Sequence, residues 1–230
     1  MKKSKIGLSV ALFITGVLLL FYNPIKDTLL SYTIDSASKD SLSRDKIKLN
    51  QQKNARYDFE EVSLLDLEDI IYALNHTDDI HIVGRMSIPS ASMNLPIGLG
   101  TSTSTLALTA GTMKQDQVMG EKNYCLAGHH LRNDALLFSP LYEAKIGSAI
   151  YLTDAKTVYE YRLSQKETIL PTKMSVLEDS EHEVKLTLIT CDDGGDSRLW
   201  VTGDFVKSIP IEEANSKIIE SFNIDTKTIR

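Results

Sequence analysis

Two segments of this 230-residue chain carry side chains that together can do acyl-transfer chemistry. One is Thr187-Leu188-Ile189-Thr190-Cys191, with Arg198 seven residues further on. The other is Asn123-Tyr124-Cys125-Leu126-Ala127-Gly128-His129. A thiol attacks best as thiolate, an imidazole can carry the proton, and a guanidinium can hold an oxyanion. Arginine suits that last task because it stays charged at any working pH and offers a fork of donors. Taken singly, Cys191 reads as a buried packing residue, His129 as an ordinary histidine and Arg198 as a surface charge. Their combination carries the information. With ordinary pKa values, about 3% of the thiol and about 24% of the imidazole are ionised at pH 7, and both together in ~1% of molecules. Mutual attraction raises that fraction, and Arg198 lowers the thiol pKa further. The expected rate profile is therefore bell-shaped, not flat, between pH 5 and 9.

Both segments are rich in strand-forming residues. Side chains alternate along a strand, so Thr187, Ile189 and Cys191 share a face, as do Ala127 and His129 if that segment stays extended. If the two strands pair, Cys191 and His129 reach the same end of the sheet, beside a floor of Thr187, Ile189 and Ala127. His129 and His130 point to opposite faces, which argues against a shared metal ion. Cys125 reads as a core residue, with a regulatory disulfide to Cys191 as the alternative. Four residues of strand span ~13 Å, too far for that bond if Cys191 lies opposite His129.

The elements around these segments set the context. The net charge is −6, with both signs well mixed, which argues against a nucleic-acid partner. Two cysteines do not make a disulfide framework. The amino terminus reads Lys2-Lys3-Ser4-Lys5, followed by an uncharged run from Ile6 to Tyr22. Seventeen residues make roughly 25 Å of helix, at the short end of a bilayer span. The lysine bias puts the amino terminus in the cytoplasm and the rest outside, as a single-pass anchor. A cleaved signal peptide is the alternative. The run is long for one, however, and Ser36-Ala37-Ser38 comes well past it. The expected organisation is a cytoplasmic tail at 1–5, a transmembrane anchor at 6–22, an extracellular stalk at 23–58 and a catalytic domain at 59–230.

A helix is expected from Ser63, with Asp66 as capping-box partner and Leu64, Leu67, Ile71 and Leu74 on one face. Strands are expected at Ile80–Ile88, Tyr124–Leu126, Ala149–Thr153, Val158–Leu163, Val184–Cys191 and Leu199–Val201. Pro89, Pro96, Gly98 and Gly100 punctuate the gaps. Pro210 opens an expected terminal helix carrying Ile211, Ala214, Ile218 and Phe222. Many short strands with little helix give an all-β class, a barrel or a sandwich.

Thr187-Leu188-Ile189-Thr190-Cys191 resembles the TLxTC motif of the sortases. Leu126-Ala127-Gly128-His129 resembles their histidine strand, and Ser197-Arg198 their arginine position. The likeness runs from about Ile80 to Phe205 and is nearest to class A. It implies a closed eight-stranded β-barrel with short flanking helices, behind a transmembrane anchor. It also implies a transpeptidase that cuts an LPxTG sorting signal between Thr and Gly and joins the acyl part to an amine of a lipid-linked cell-wall precursor. By this resemblance Cys191 is the nucleophile, His129 the general acid and base, and Arg198 the oxyanion or substrate-positioning group. Ala91, Ala127, Thr187 and Ile189 match the groove lining, and Met174, Val176 and Leu177 the loop over the Leu-Pro part of the signal. Some class A members hold calcium with acids in the loop before the histidine strand. Here that loop reads Met113-Lys114-Gln115-Asp116-Gln117, so neither metal nor cofactor is expected. The rival readings are a surface thiol peptidase that passes its acyl group to water, and an inactive peptide-binding β-domain.

Overall fold

The computed structural model describes residues 2–39, 43–57, 65–131, 133–191 and 196–222, with backbone alone at 2–5, 7–9, 11, 18, 32 and 35–39. Eight strands close into a barrel in the order β1-β2-β3-β4-β7-β8-β6-β5. They are β1 (Ile82–Ile88), β2 (Met93–Gly98), β3 (Ala110–Thr112), β4 (Asn123–Gly128), β5 (Ala149–Thr153), β6 (Thr157–Ile169), β7 (Lys185–Cys191) and β8 (Arg198–Pro210). Closure leaves no unpaired edge. Most neighbours are antiparallel, but β2 runs parallel to β3 and β4 parallel to β7. Parallel neighbours need a crossover, and between β2 and β3 it is the helix α4 described below.

Inside the barrel, alternate side chains of β4, β7 and β8 (Leu126, Leu186, Leu188, Leu199 and Val201) join one large core. The intervening side chains face outward and build the site.

The six expected strand segments are all present, and two further strands appear. Pro96 and Gly98, expected as breaks, lie inside β2. Pro96 is tolerated because β3 pairs only with Ile97 and Gly98, so no ladder bond on that side requires its missing N–H. Gly98 is needed for close approach: a Cβ there would lie 2.4 Å from Thr109 Oγ1 and 2.6 Å from Thr105 Cγ2.

Five helices flank the barrel among the described residues: α1 (Lys2–Lys39), α2 (Arg44–Asn50), α3 (Leu67–Asn75), α4 (Thr103–Leu108) and α5 (Ser216–Ser221). The expected start of a helix at Ser63 falls outside the described residues. Asp66 is itself the N-cap of α3, in a capping box with Asp69. Ile70 and Ala73 form the buried face, and Ile71 is 47% exposed, not on the core side. At the other end, Pro210 closes β8 and caps only the short 3-10 turn Ile211–Glu213, not the terminal α-helix. The ladder continues past it, with Ile211 N–H donating to Lys156 O at 2.9 Å. The chain turns only at Ile211–Glu213, and α5 follows, capped by Asn215.

The run 6–22 lies within α1, some of its side chains outside the described set. Among the described residues no helix is long and apolar enough to cross a membrane. The following segment, expected as a stalk, is helical and packed over much of its described length. Leu30, Thr33 and Ile34 are buried. In α2, Ile47 packs on Ala155, Arg44 donates to Ala155 O and pairs with Glu212, and Asn50 donates to Ile82 O.

Candidate active site

The register between β4 and β7 determines what meets what. Cys125 pairs with Thr187, Ala127 with Ile189 and Gly128 with Thr190. Continued by one residue past Gly128 and Thr190, where β4 ends, that register points His129 toward the level of Cys191. On the other side β8 pairs Thr202 with Thr187, Trp200 with Ile189 and Arg198 with Cys191. Opposed residues point to the same face. The outward face of three strands therefore carries His129, Cys191 and Arg198 in one row, and Ala127, Ile189 and Trp200 in the next.

The histidine end is held from behind. Phe138 N–H donates to His129 O at 3.0 Å, and the Phe138 ring lies where any Cβ on Gly128 would sit, at 2.5–2.8 Å. Only glycine fits there, which explains that residue between Ala127 and His129. Ser139 Oγ accepts from Leu131 N–H and donates to Leu131 O, fixing the segment that follows. His130 turns away and packs on Tyr142 with ring centroids 4.6 Å apart.

Below the catalytic row lies a small apolar cluster separate from the main core. Leu106, Met113, Cys125, Ala127 and Ile189 form it, with Val176, Leu177 and Trp200 packed on top. Val176 and Leu177 come from the 3-10 turn Met174–Leu177 between β6 and β7. That turn is pinned by side chains from the floor. Asn123 Nδ2 donates to Val176 O and Glu178 O at 3.0 and 3.1 Å. Thr187 Oγ1 donates to Asn123 Oδ1 at 2.8 Å, orienting that amide. Lys114 Nζ donates to Leu177 O at 3.2 Å and pairs with Asp179 at 2.5 Å. A lysine of the Met113–Gln117 loop thus joins the chain before β4 to the turn.

Burial dominates the electrostatics. His129 is 6% exposed, and burial lowers its pKa from 6.5 to about 4. Cys191 is 5% exposed; burial raises its pKa and the Arg198 charge pulls it back in part. Burial therefore disfavours the charged form of each group, and the neutral thiol–imidazole pair is favoured over the ion pair. That corrects the ~1% obtained from ordinary values, because that figure omitted the cost of desolvating each charge. Cys125 is fully buried, and burial pushes its thiol up to about 12. Its Sγ lies 3.8 Å from Leu177 O. Both thiols are free.

The structure brings together Cys191, His129, Arg198, Ala127, Thr187, Ile189, Val176 and Leu177. Met174 stands apart, 45% exposed on the outer side of the turn. Ala91 lies in the β1–β2 turn at the same end of the barrel, but it packs on the main core and not on the groove cluster. Trp200, Leu106, Met113, Asn123 and Lys114 were not anticipated. Trp200 was within reach, since alternation from Arg198 puts it on the same face.

A thiol, an imidazole and a guanidinium in one row, above a narrow apolar groove on a closed barrel, define a cysteine acyl-transfer enzyme. Residues 86–206 match the sortase domain family. Sortase A of Listeria monocytogenes is 38% identical over 185 residues, covering 80% of this chain and 83% of that protein. Sortase A of Streptococcus agalactiae is 32% identical over 222 residues, covering 94% and 90%. The crystal structure of the Listeria monocytogenes enzyme superposes with a TM-score of 0.57, over 61% of this chain and 97% of that one. The chain belongs to the sortase family, in its class A branch. It is a cysteine transpeptidase that anchors surface proteins.

Proposed function

We propose that this enzyme cleaves a Leu-Pro-x-Thr-Gly signal between Thr and Gly and transfers the acyl part to an amine of a lipid-linked cell-wall precursor. The observation that supports this assignment of roles is the register that pairs Cys191 with Arg198 and Gly128, the residue before His129, with Thr190, the residue before Cys191. The Cys191 thiol attacks the threonine carbonyl carbon as its proton passes to His129. Arg198 donates to the oxyanion of the tetrahedral intermediate. His129 returns the proton to the leaving glycine nitrogen, and the C–N bond breaks to leave a thioester on Cys191. The acceptor amine loses a proton to His129 and attacks that thioester; the C–S bond breaks, and His129 returns the proton to the departing sulfur. Ala127, Ile189, Val176 and Leu177 form the apolar walls for the Leu-Pro part, and they limit water around the thioester.

The residues 6–22 serve as a single-pass membrane anchor, with the amino terminus in the cytoplasm and the catalytic domain outside. Leu12, Phe13, Leu19 and Leu20 are more than half exposed, as a lipid-facing surface requires. In this reading 1–5 form a cytoplasmic tail, 23–58 the segment linking anchor to barrel, and 59–230 the catalytic domain.

The test uses the full chain in detergent with a quenched LPxTG peptide, with and without a glycine or alanine oligomer. A ligated product that disappears in Cys191→Ala supports transfer. Hydrolysed product alone, whatever amine is offered, favours a peptidase. Peptide binding without cleavage favours a binding domain.

A further inference from the structure

The outward face continues beyond the groove. On the far side of the turn Met174–Leu177 a cleft of ≈ 250 Å³ opens, lined by Asn123, Thr187, Trp200, Thr202, Lys173 and Glu178 among others. Thr187 and Trp200 belong to both cleft and groove floor, so the two are continuous. Two lining residues carry polar groups without partners. Thr202 is 2% exposed, and its hydroxyl has no hydrogen bond. The Trp200 indole N–H is also buried and unpaired. A buried donor without an acceptor is costly, and native proteins seldom leave two side by side. Lys173 Nζ lies 5.5 Å from the Trp200 ring centroid, over the ring.

Position along β7 indicates what enters. An extended peptide advances ~3.3 Å per residue. With the attacked carbonyl at Cys191, the leucine three residues earlier lies ~10 Å back. The residues before it lie ~13–17 Å back, which is the level of Thr187 and beyond. The rim is balanced in charge, with Lys173 and Lys185 against Glu178 and Glu183, the last two numbers of each sign forming a Lys185–Glu183 pair at 2.7 Å. Such a rim selects no charge; its inner donors suit the main chain.

We infer that this cleft is a subsite for the residues immediately preceding leucine in the sorting signal, with Trp200 N–H and Thr202 hydroxyl binding their backbone. The inference rests on Leu-Pro-x-Thr-Gly being the acyl donor. It makes the enzyme sensitive to the length of the donor before the motif, but tolerant of side chains there.

Two donor peptides test it with the full chain in detergent. One starts with 4-methylpentanoyl in place of leucine, so nothing precedes the motif. The other adds two alanines before leucine. The extended donor is expected to have kcat/KM about three- to tenfold higher, through KM, the range of one or two net hydrogen bonds. That ratio falls toward one in Thr202→Val and in Trp200→Phe, and returns in Thr202→Ser, which restores the hydroxyl. A ratio near one in the unaltered enzyme, with both donors cleaved, overturns the subsite. So does an undiminished ratio in both variants. Failure to cleave either donor instead overturns the acyl-donor reading, and the subsite with it.

Discussion

Arg198 is the cross-strand partner of Cys191, and among the described residues its charge opposes burial at that thiol. In the proposed mechanism the guanidinium acts twice: it favours loss of the thiol proton during attack and holds the oxyanion after it. Arg198→Ala is expected to lower kcat/KM by about 10²–10³, as for loss of an oxyanion donor. It also moves the midpoint of Cys191 alkylation by iodoacetamide to higher pH. Arg198→Lys keeps the charge but loses the fork, so it retains the alkylation midpoint while losing much of the rate. An unshifted midpoint in the alanine variant would separate Arg198 from the thiol.

The depressed histidine and elevated thiol change the expected rate profile. The sequence reading expects curvature between pH 5 and 9. Burial moves the acid limb down to about 4 and the basic limb upward. The profile of kcat/KM is thus expected to be a broad plateau over that window, with the neutral thiol–imidazole pair as the reacting form within it. Its measure is initial rate against pH at substrate concentrations well below KM. A narrow bell centred near 7 would mean that the groove is far wetter than its geometry implies.

The same shift has a consequence for stability. His129 has a folded pKa near 4 against 6.5 unfolded, so between those values only the unfolded chain takes the proton. Stability is full above pH 6.5 and falls as pH drops toward 4, by up to about 3 kcal/mol from this group. His129→Gln removes that contribution. Urea unfolding at pH 7.5 and 4.5 is expected to show a smaller pH difference in the variant than in the parent. Equal differences would assign the acid sensitivity to other groups.

Lys114 joins the β3–β4 loop to the turn over the groove through Leu177 O and Asp179. Its loss frees the turn without touching the catalytic row. Lys114→Met is expected to raise KM several-fold with little change in kcat, and to speed hydrogen exchange in residues 174–179. Asp179→Asn gives a smaller effect of the same kind, since Asn123 N–H and Lys122 also contact that carboxylate. Unchanged KM in both variants would show that the Asn123 bonds alone hold the turn.

Much of the catalytic row was legible because strand periodicity is strict. Thr187, Ile189 and Cys191 must share a face, and Ala127 and His129 must share another. The pairing of those faces came from a register that no local pattern states. β2 escaped notice because Pro96 and Gly98 look like breaks, and only their three-dimensional neighbours make them acceptable. Lys114 was read only as a loop residue and Asn123 only as the start of a strand; their partners lie more than 50 residues away in sequence. The pKa directions were illegible for a related reason, since desolvation depends on the closed barrel and the turn rather than on adjacent residues.

The amino-terminal segment was expected to hold the barrel at a distance, yet residues 43–57 lie on it. Ile47 is 2% exposed and packs on Ala155. Arg44 donates to Ala155 O at 2.8 Å, Asn50 to Ile82 O at 2.8 Å, and Thr101 N–H to Arg56 O at 2.7 Å. Burying one isoleucine is worth about 1.5–3 kcal/mol and each such bond about 0.5–1.5, offset by the entropy of ordering the segment. A net of about 2 kcal/mol implies a Tm loss of roughly 4–8 °C for a domain of this size. A chain from Asp58 to Arg230 is therefore expected to melt lower than one from Ser43 to Arg230 by that margin, with Ile47→Ala in the longer chain recovering part of the drop. Coincident melting curves for the two chains would show that ordering entropy cancels the contacts, and that the segment rests on the barrel without stabilising it.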